Sequence, residues 1–335
     1  MSVLVCGVDG FCNVSRHMFV VYCWTRFARR CVRSGKYPRM SNKPTYVFSG
    51  HQTFVLRAHW LKRIYDVLIH TPTALTDDDA VVQLGVGKNM VDAMRYWAQM
   101  TNMIAPHADG GWQPTPIAHM LLADDGIDPF IVTPWTRWWL HWQLIQSPAL
   151  TWSYLFMRMN GNDIDIDHAV RDIQNYVGTQ NLKVPAVDVL RRDLQCVQRC
   201  YVGTGGDMSN EESLLCPLTS LGLMHQHDEH ARLVSANRDD VPEFLFVATI
   251  ADAMQKTARS VMPFDELMWG LHAPGRIFRM NEDALLNRLS RLEFITAGAA
   301  QYSDHGGVRS VQWANVADVS VVDTALRDVI VGASR

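Results

Sequence analysis

The stretch TDDDAVVQLGVGKNMVDAMRYWAQMTNMIAPHADGGWQPTP, residues 76–116, decides the reading of the fold. Thr76 followed by Asp77, Asp78 and Asp79 is a helix start, with a capping hydroxyl and acids in the first turn, where the helix dipole favours them. It predicts a short helix from Asp77 to Leu84. Gly85-Val86-Gly87 interrupts it, and a second helix runs from Lys88 to about Met100. Met90, Met94 and Trp97 fall on one side of that helix, flanked by Val91 and Ala98, so this side packs inward. Lys88, Asp92, Arg95 and Gln99 fall on the other side and face out. Asp109-Gly110-Gly111 then marks a hairpin between two short extended pieces, and Thr115 to Leu122 reads as a closing helix. Helix, glycine turn, helix and hairpin in that order predict a winged helix-turn-helix.

Upstream, Phe48-Ser-Gly-His-Gln-Thr-Phe54 leads into a helix over Arg57 to Ile69, with Trp60, Leu61, Ile64, Tyr65 and Leu68 on one side. Downstream, Asp124-Asp-Gly-Ile-Asp-Pro129 is a joint. Trp135 to Met159 reads as two packed helices broken near Ser147-Pro148 and ended by Asn160-Gly-Asn162. Asp167 to Val177 and Pro185 to Val202 predict two more helices. Gly203 to Ser213 is a polar loop, Leu214 to His225 a short ordered piece, and Asn237-Arg-Asp-Asp240 a linker. Helices over Pro242 to Ser260, Pro263 to Leu271 and Asn281 to Leu292 follow, with a turn at His272-Ala-Pro-Gly275. A hairpin over Tyr302 to Trp313 carries Asp304-His-Gly-Gly307 at its tip. The fold class is therefore mainly α: a winged helix at 45–123, a helical middle domain at 124–236, and a second winged-helix-like unit at 237–335.

Composition supports a folded chain. Of 335 residues, 48% are hydrophobic and 19% charged, which excludes disordered and low-complexity classes. No run of 18 apolar residues occurs, so no membrane helix and no membrane partner is expected. The formal net charge of -3 hides an asymmetry. Residues 1–39 hold seven Lys+Arg and one acid, which leaves 24 basic and 33 acidic residues from Met40 onward. An acidic body does not coat nucleic acid through bulk charge; any contact must be local. The first 39 residues make a poor signal peptide and have the Arg-rich composition of an organellar transit peptide. They are better read as translated upstream sequence, with the start at Met40. Cys196, Cys200 and Cys216 form no C-x-x-C pair, and without a secretory signal a reduced cytoplasm is the default.

Several constellations invite chemistry. Gly85-Val-Gly-Lys88-Asn89 suggests a phosphate loop, but Val82 stands where that motif needs Gly and Asn89 where it needs Ser or Thr. His225, His227 and His230 are the densest group of metal-ligand types, with His227 and His230 three apart as on one helix face; without a second ligand pair the stretch reads as polar surface. His51 reads as a histidine that fixes the chain entry by a hydrogen bond, since no Ser or Cys demands it as a base. Trp135, Trp138, Trp139 and Trp142, with Trp152, read as core or as a partner-binding surface ahead of a base-stacking platform. No cofactor and no resident metal is expected.

Taken together, Phe48 to Phe54, Leu84 to Met90, Arg95-Tyr-Trp97, Asp124 to Pro129, Trp138 to Trp142, Trp152 to Phe156, Cys216-Pro-Leu218 and Gly275-Arg-Ile-Phe278 resemble the prokaryotic "domain of unknown function four thousand and seven" proteins, over roughly Tyr46 to Trp313. The resemblance implies a bacterial or archaeal protein, and a gene placed beside phosphoadenosine-phosphosulfate-reductase-like enzymes and cysteine desulfurases of DNA phosphorothioation systems. It brings no catalytic residues.

The expectation is a non-enzymatic accessory or regulatory protein of DNA sulfur modification or phage defence that binds duplex DNA. Lys88, Asn89, Arg95 and Gln99 would meet the groove, and Arg57, Lys62 and Arg63 the backbone. Asp92 on the same face repels phosphate unless it pairs with Lys88 or Arg95. One alternative is an adaptor that docks sulfur-modification enzymes through its tryptophans without touching DNA. Another is a metal-dependent enzyme built on the histidines.

Overall fold

The structure is a computed structural model and describes residues 45–75, 80–108, 110–202 and 216–313. Expectations for residues 1–39, for Thr76 to Asp79, for Asp109, for the Gly203–Ser213 loop and for the chain past Trp313 lie outside the described residues.

Helix α1 (Ala58–Leu68) buries Trp60, Leu61, Ile64, Tyr65 and Leu68, the stripe its periodicity predicts. Helices α2 (Ala80–Leu84) and α3 (Lys88–Met100) are joined by the glycine turn. Gly85 sits at φ +57, left-handed backbone that a side chain would strain. A Cβ there would also lie 3.3 Å from Arg63 Nη2, so the turn passes directly beside that guanidinium. Gly87 is the extended N-cap of α3. Strands β1 (Ile104–Pro106) and β2 (Trp112–Pro114) pair antiparallel, Ile104 opposite Pro114. Trp112 N–H donates to Pro72 O at 2.9 Å, which docks the hairpin on the segment after α1. Thr115 then caps α4 (Pro116–Leu122) by accepting from Ala118 N–H at 3.3 Å.

The middle of the chain carries α5 (Pro134–Gln146) and α6 (Leu150–Ser153), the latter running into a π-helical turn at Tyr154–Arg158. The break at Ser147-Pro148 falls where the proline removes a donor. Strand β3 (Asp163–Ile164) precedes α7 (Ile166–Thr179), whose cap Asp165 accepts from His168 N–H at 3.0 Å, and α8 (Val187–Tyr201). Strands β4 (Met224–His227) and β5 (His230–Leu233) follow, in the antiparallel order β3-β5-β4.

The last part holds α9 (Glu243–Thr257), β6 (Val261–Pro263), α10 (Phe264–Trp269), α11 (Pro274–Ile277), α12 (Glu282–Ser290), α13 (Leu292–Ile295), β7 (Ala300–His305) and β8 (Val308–Trp313). The hairpin β7–β8 is widened by β6, in the order β6-β8-β7. The secondary structure is thus mainly helical with small antiparallel sheets. One contiguous apolar cluster runs from Val55 to Trp313 and takes in Trp60, Trp97, Trp138 and Trp152, so the described parts of the chain share a core.

Three local expectations are corrected. His227 and His230 are not on a helix face: they are register partners across the β4–β5 turn, where Asp228 takes a φ of +51. The Asn237–Asp240 linker contains an anchor, because Arg238 is buried and donates to the carbonyls of Leu221 (2.9 Å), Gly222 (3.1 Å) and Val234 (2.6 Å). The turn expected at His272–Gly275 is where α11 begins, with Gly275 packed so close to Met268 that a Cβ would lie 2.5 Å from its carbonyl oxygen. Strands β3, β4, β5 and β6 were not expected, since two to four residues carry no readable period.

Candidate functional site

The outward face of α3 divides into two halves. Lys88 and Asn89, in the first turn, are exposed. Further along, Arg95 Nη2 donates to Asp92 Oδ1 at 2.6 Å and Arg95 Nη1 to Leu75 O at 3.0 Å, so Arg95 is committed to holding the fold. The pairing neutralises Asp92 locally, and Gln99 is half-buried beyond it. On α1, Lys62 Nζ is shared between Asp66 and Asp124, the latter at 2.9 Å. Burial pulls the Lys62 pKa down, but the hydrogen bonds its ammonium donates to the two carboxylates outweigh it and leave the pKa raised. Arg57 lays its guanidinium over the Trp60 ring at 4.9 Å. Arg63 is exposed beside Gly85. Among the described residues, neither Arg63 nor Lys88 forms an ion pair. His59, which sequence reasoning missed, is exposed near the same place. Its pKa is lowered by burial first, then by the charges of Arg57 and Arg63. The smaller part of that depression, from the two guanidinium charges, marks them as close neighbours of the ring.

Behind α3 lies a buried polar brace. His51 and Asp193 are both almost fully buried, with His51 Nε2 2.9 Å from Asp193 Oδ1. Thr53 N–H donates to His51 Nδ1 at 3.0 Å, so Nε2 carries the proton and donates to the carboxylate. Asp193 also accepts from Ser49 N–H (2.8 Å), Ser49 Oγ–H (3.3 Å) and Thr151 Oγ–H (3.3 Å). Gly50 is required here, because a Cβ would lie 2.2 Å from the Tyr96 ring. Ser49, Gln52 and Thr53 all adopt positive φ. Trp97 stacks on the His51 ring at 6.3 Å and Trp152 meets its edge at 6.1 Å. Trp97 Nε1–H donates to Phe54 O (3.2 Å) and Arg199 Nη2 to Thr53 O (2.6 Å). The loop 48–54 therefore ties α3, α6 and α8 together. Ser49 touches Asp193 and not His51, and both ring nitrogens are occupied, so the trio does not form a nucleophile–base pair. His51 fixes the chain entry, as its motif suggests.

The other candidates resolve by burial. Trp138 and Trp139 are core residues and cannot serve as partner contacts in this fold; Trp138 Nε1–H donates to Asp240 Oδ2 at 2.8 Å. Trp135 and Trp142 are half-buried, Trp135 edge-on to Phe244 at 6.2 Å. The helix α5 is apolar nearly all round, which is why spacing alone did not separate core from surface. His225, His227 and His230 are exposed on the β4–β5 hairpin. Among the described residues, no group of three or more His, Cys, Asp or Glu side chains is placed to hold a metal. Cys196, Cys200 and Cys216 are free, buried thiols. No described helix is long and apolar enough to cross a membrane.

Residues 48–327 match the family model described as "Protein of unknown function (DUF4007)". The chain belongs to that family. This bears out the resemblance read from the motifs. A crystal structure of SspB aligns with a TM-score of 0.74 at 27% identity, covering 86% of this chain and 89% of that one. A crystal structure of magnesium-ion-bound SspB aligns with a TM-score of 0.71 at 28% identity, covering 83% and 88%. No curated protein matches the chain.

Proposed function

We propose that the protein is a DNA-binding accessory or regulatory protein, acting in DNA sulfur modification or phage defence. In this reading α1 to β2 form a winged helix, α3 is its recognition helix and β1–β2 its wing. The observation that carries the reading is the charge at the start of α3. Lys88 and Arg63 stand exposed around Gly85 and form no ion pair among the described residues, while Lys62, Asp92 and Arg95 are already paired. A lysine at the positive end of a helix dipole works against helix stability, so its place there needs another reason. A phosphate gives one: the free N–H groups of a helix start and two cations suit an anion. The part played by sulfur modification rests on the gene neighbourhood that the family resemblance implies and on the likeness to SspB. The last part of the chain, α9 to β8, has the order of a second winged helix.

An SspB structure carries magnesium. The described residues of this chain offer no cluster of three His, Cys, Asp or Glu side chains for such an ion.

The test is binding of the full chain to duplex DNA, titrated across salt. A steep fall of affinity with salt, made shallower by Lys88→Glu or Arg63→Glu, is expected. Affinity unchanged by both substitutions in a folded protein would remove the interface.

A further inference from the structure

A cleft opens between the chain leading into α9 and one face of α12. Its volume is about 420 Å³, within the roughly 300–1,000 Å³ of small-molecule sites. One wall runs from Asn237 to Glu243, and the other is the face of α12 that carries Asp283 and Arg288, continued by Arg291. Val241 and Ala284 are buried and supply its apolar part. Some of the polar groups are used within the fold. Arg291 Nη2 is 2.6 Å from Glu243 Oε1, which clasps the two walls together. Arg288 is half-buried; its Nη2 donates to Arg238 O at 2.7 Å and its guanidinium lies 5.6 Å from the Phe246 ring centre. These contacts fix the guanidinium and occupy neither its Nε nor its Nη1. Asp239, on the opposite wall, is exposed and forms no ion pair among the described residues. Its charge is still felt at Arg288: burial lowers the Arg288 pKa, and Glu243 and then Asp239 pull it back up. The cleft therefore holds an acceptor-only carboxylate near a donor-only guanidinium, without letting them pair.

Charge and hydrogen-bond type select the occupant. Asp239, Glu243 and Asp283 oppose a phosphate or a sulfate, and Arg288 and Arg291 oppose a simple cation. What suits both groups is a neutral ligand with a donor edge beside an acceptor edge. Among the common bases, guanine alone sets two adjacent donors, N1–H and N2–H, next to two adjacent acceptors, O6 and N7. Arginine meets that acceptor edge in bidentate fashion, and a carboxylate can take both donors at once. We infer that this cleft binds a guanine base, with Asp239 accepting from N1–H and N2–H and Arg288 donating to O6 and N7. Both donors are used up by pairing in a duplex, so the base must be unpaired. The inference does not rest on the duplex-binding reading, and either can fail alone.

The experiment is equilibrium dialysis of radiolabelled guanosine against the full chain, with unlabelled competitors. Saturable binding is expected. Inosine, which lacks the N2 amine, should compete about tenfold more weakly, and adenosine should not compete. GTP should compete less well than guanosine, because its phosphates meet the carboxylates of the cleft. Asp239→Asn should weaken guanosine about tenfold at unchanged melting temperature, since the residue is exposed. Lys88→Glu should leave guanosine binding intact. A DNA oligonucleotide with an unpaired guanine separates the two sources of the base: competition as strong as guanosine's supports a base in nucleic acid, and its failure beside bound guanosine supports a free nucleoside. No saturable guanosine binding, equal competition by adenosine, affinity indifferent to Asp239→Asn, or displacement by glycine as a plain zwitterion would each overturn the inference.

Discussion

The chain contains two helix–helix–hairpin units, and they are charged in opposite ways. In the first, α3 opens with Lys88 and Asn89 behind a glycine cap that offers no side-chain hydrogen bond. In the second, α12 opens with Glu282 and Asp283 behind Asn281, whose side chain accepts from Ala284 N–H at 2.8 Å. The second start does what helix physics asks: a capping side chain, and acids at the positive end of the dipole. The first start does the reverse. Stability alone explains α12, whereas α3 is better explained by what it meets. Glu282 is moreover paired with Arg309 at 2.9 Å, which ties α12 to its own hairpin. The like order of elements therefore does not imply a like role, and the proposed anion-binding face belongs to the first unit.

Four measurements would break or sharpen that contrast. The largest effect belongs to the brace that holds the first unit to the body. Asp193→Ala leaves the buried His51 Nε2–H and the half-buried Ser49 N–H without their acceptor, and at about 1–3 kcal/mol for each orphaned donor should lower unfolding stability by about 3–5 kcal/mol in urea melts. A loss under about 1 kcal/mol would mean that the first unit is not fixed through this pair.

Next is acid. His141 donates Nε2–H to Ile277 O at 2.8 Å and accepts from Tyr201 O–H at 2.7 Å, which links α5 and α8 to the second unit. Burial lowers its pKa from 6.5 to about 4. The unfolded chain takes up the proton first. The stability from the neutral buried ring is therefore full above pH 6.5 and is lost as pH falls to about 4. The loss should be roughly 3 kcal/mol, and His141→Gln should flatten that limb of the pH profile.

Smaller is the effect of Lys88→Glu. DNA affinity should fall about tenfold and the salt slope by about one, while stability rises by roughly 0.3–1 kcal/mol. A variant that binds less well yet melts later would separate function from stability in α3. Smallest is the mirror change in the second unit. Asp283→Lys should cost about 0.3–1 kcal/mol and leave DNA affinity unchanged. An equal loss of DNA binding in that variant would erase the distinction between the units.

Much of this was legible in the chain. The stripes of α1 and α3, the Gly85–Gly87 turn, the closing helix after Thr115 and the β1–β2 and β7–β8 hairpins follow from periodicity and turn chemistry. The role of His51 as a chain anchor was readable from its setting, but its partner was not, because Asp193 lies 142 residues away. The interface was half legible. Seven basic or polar side chains were named, and the fold divides them: Lys88, Asn89 and Arg63 are presented, while Lys62 and Arg95 are held by acids, Arg57 lies on Trp60 and Gln99 is half-buried. The missing signal was the pairing, and only Asp92, on the same helix face, gave warning of it.

What the residues alone determine here is local. Helix and turn positions, the inward stripes and the acidic balance of the body follow from spacing and side-chain type, since each acts over one or two turns of chain. What only the tertiary structure decides is which of several like side chains is used up. Five tryptophans at helical spacing look equivalent in sequence, yet Trp138 is buried with its Nε1–H on Asp240 and Trp135 stays half-exposed, edge-on to Phe244. Burial and pairing are properties of contacts between distant segments, and no local pattern encodes them.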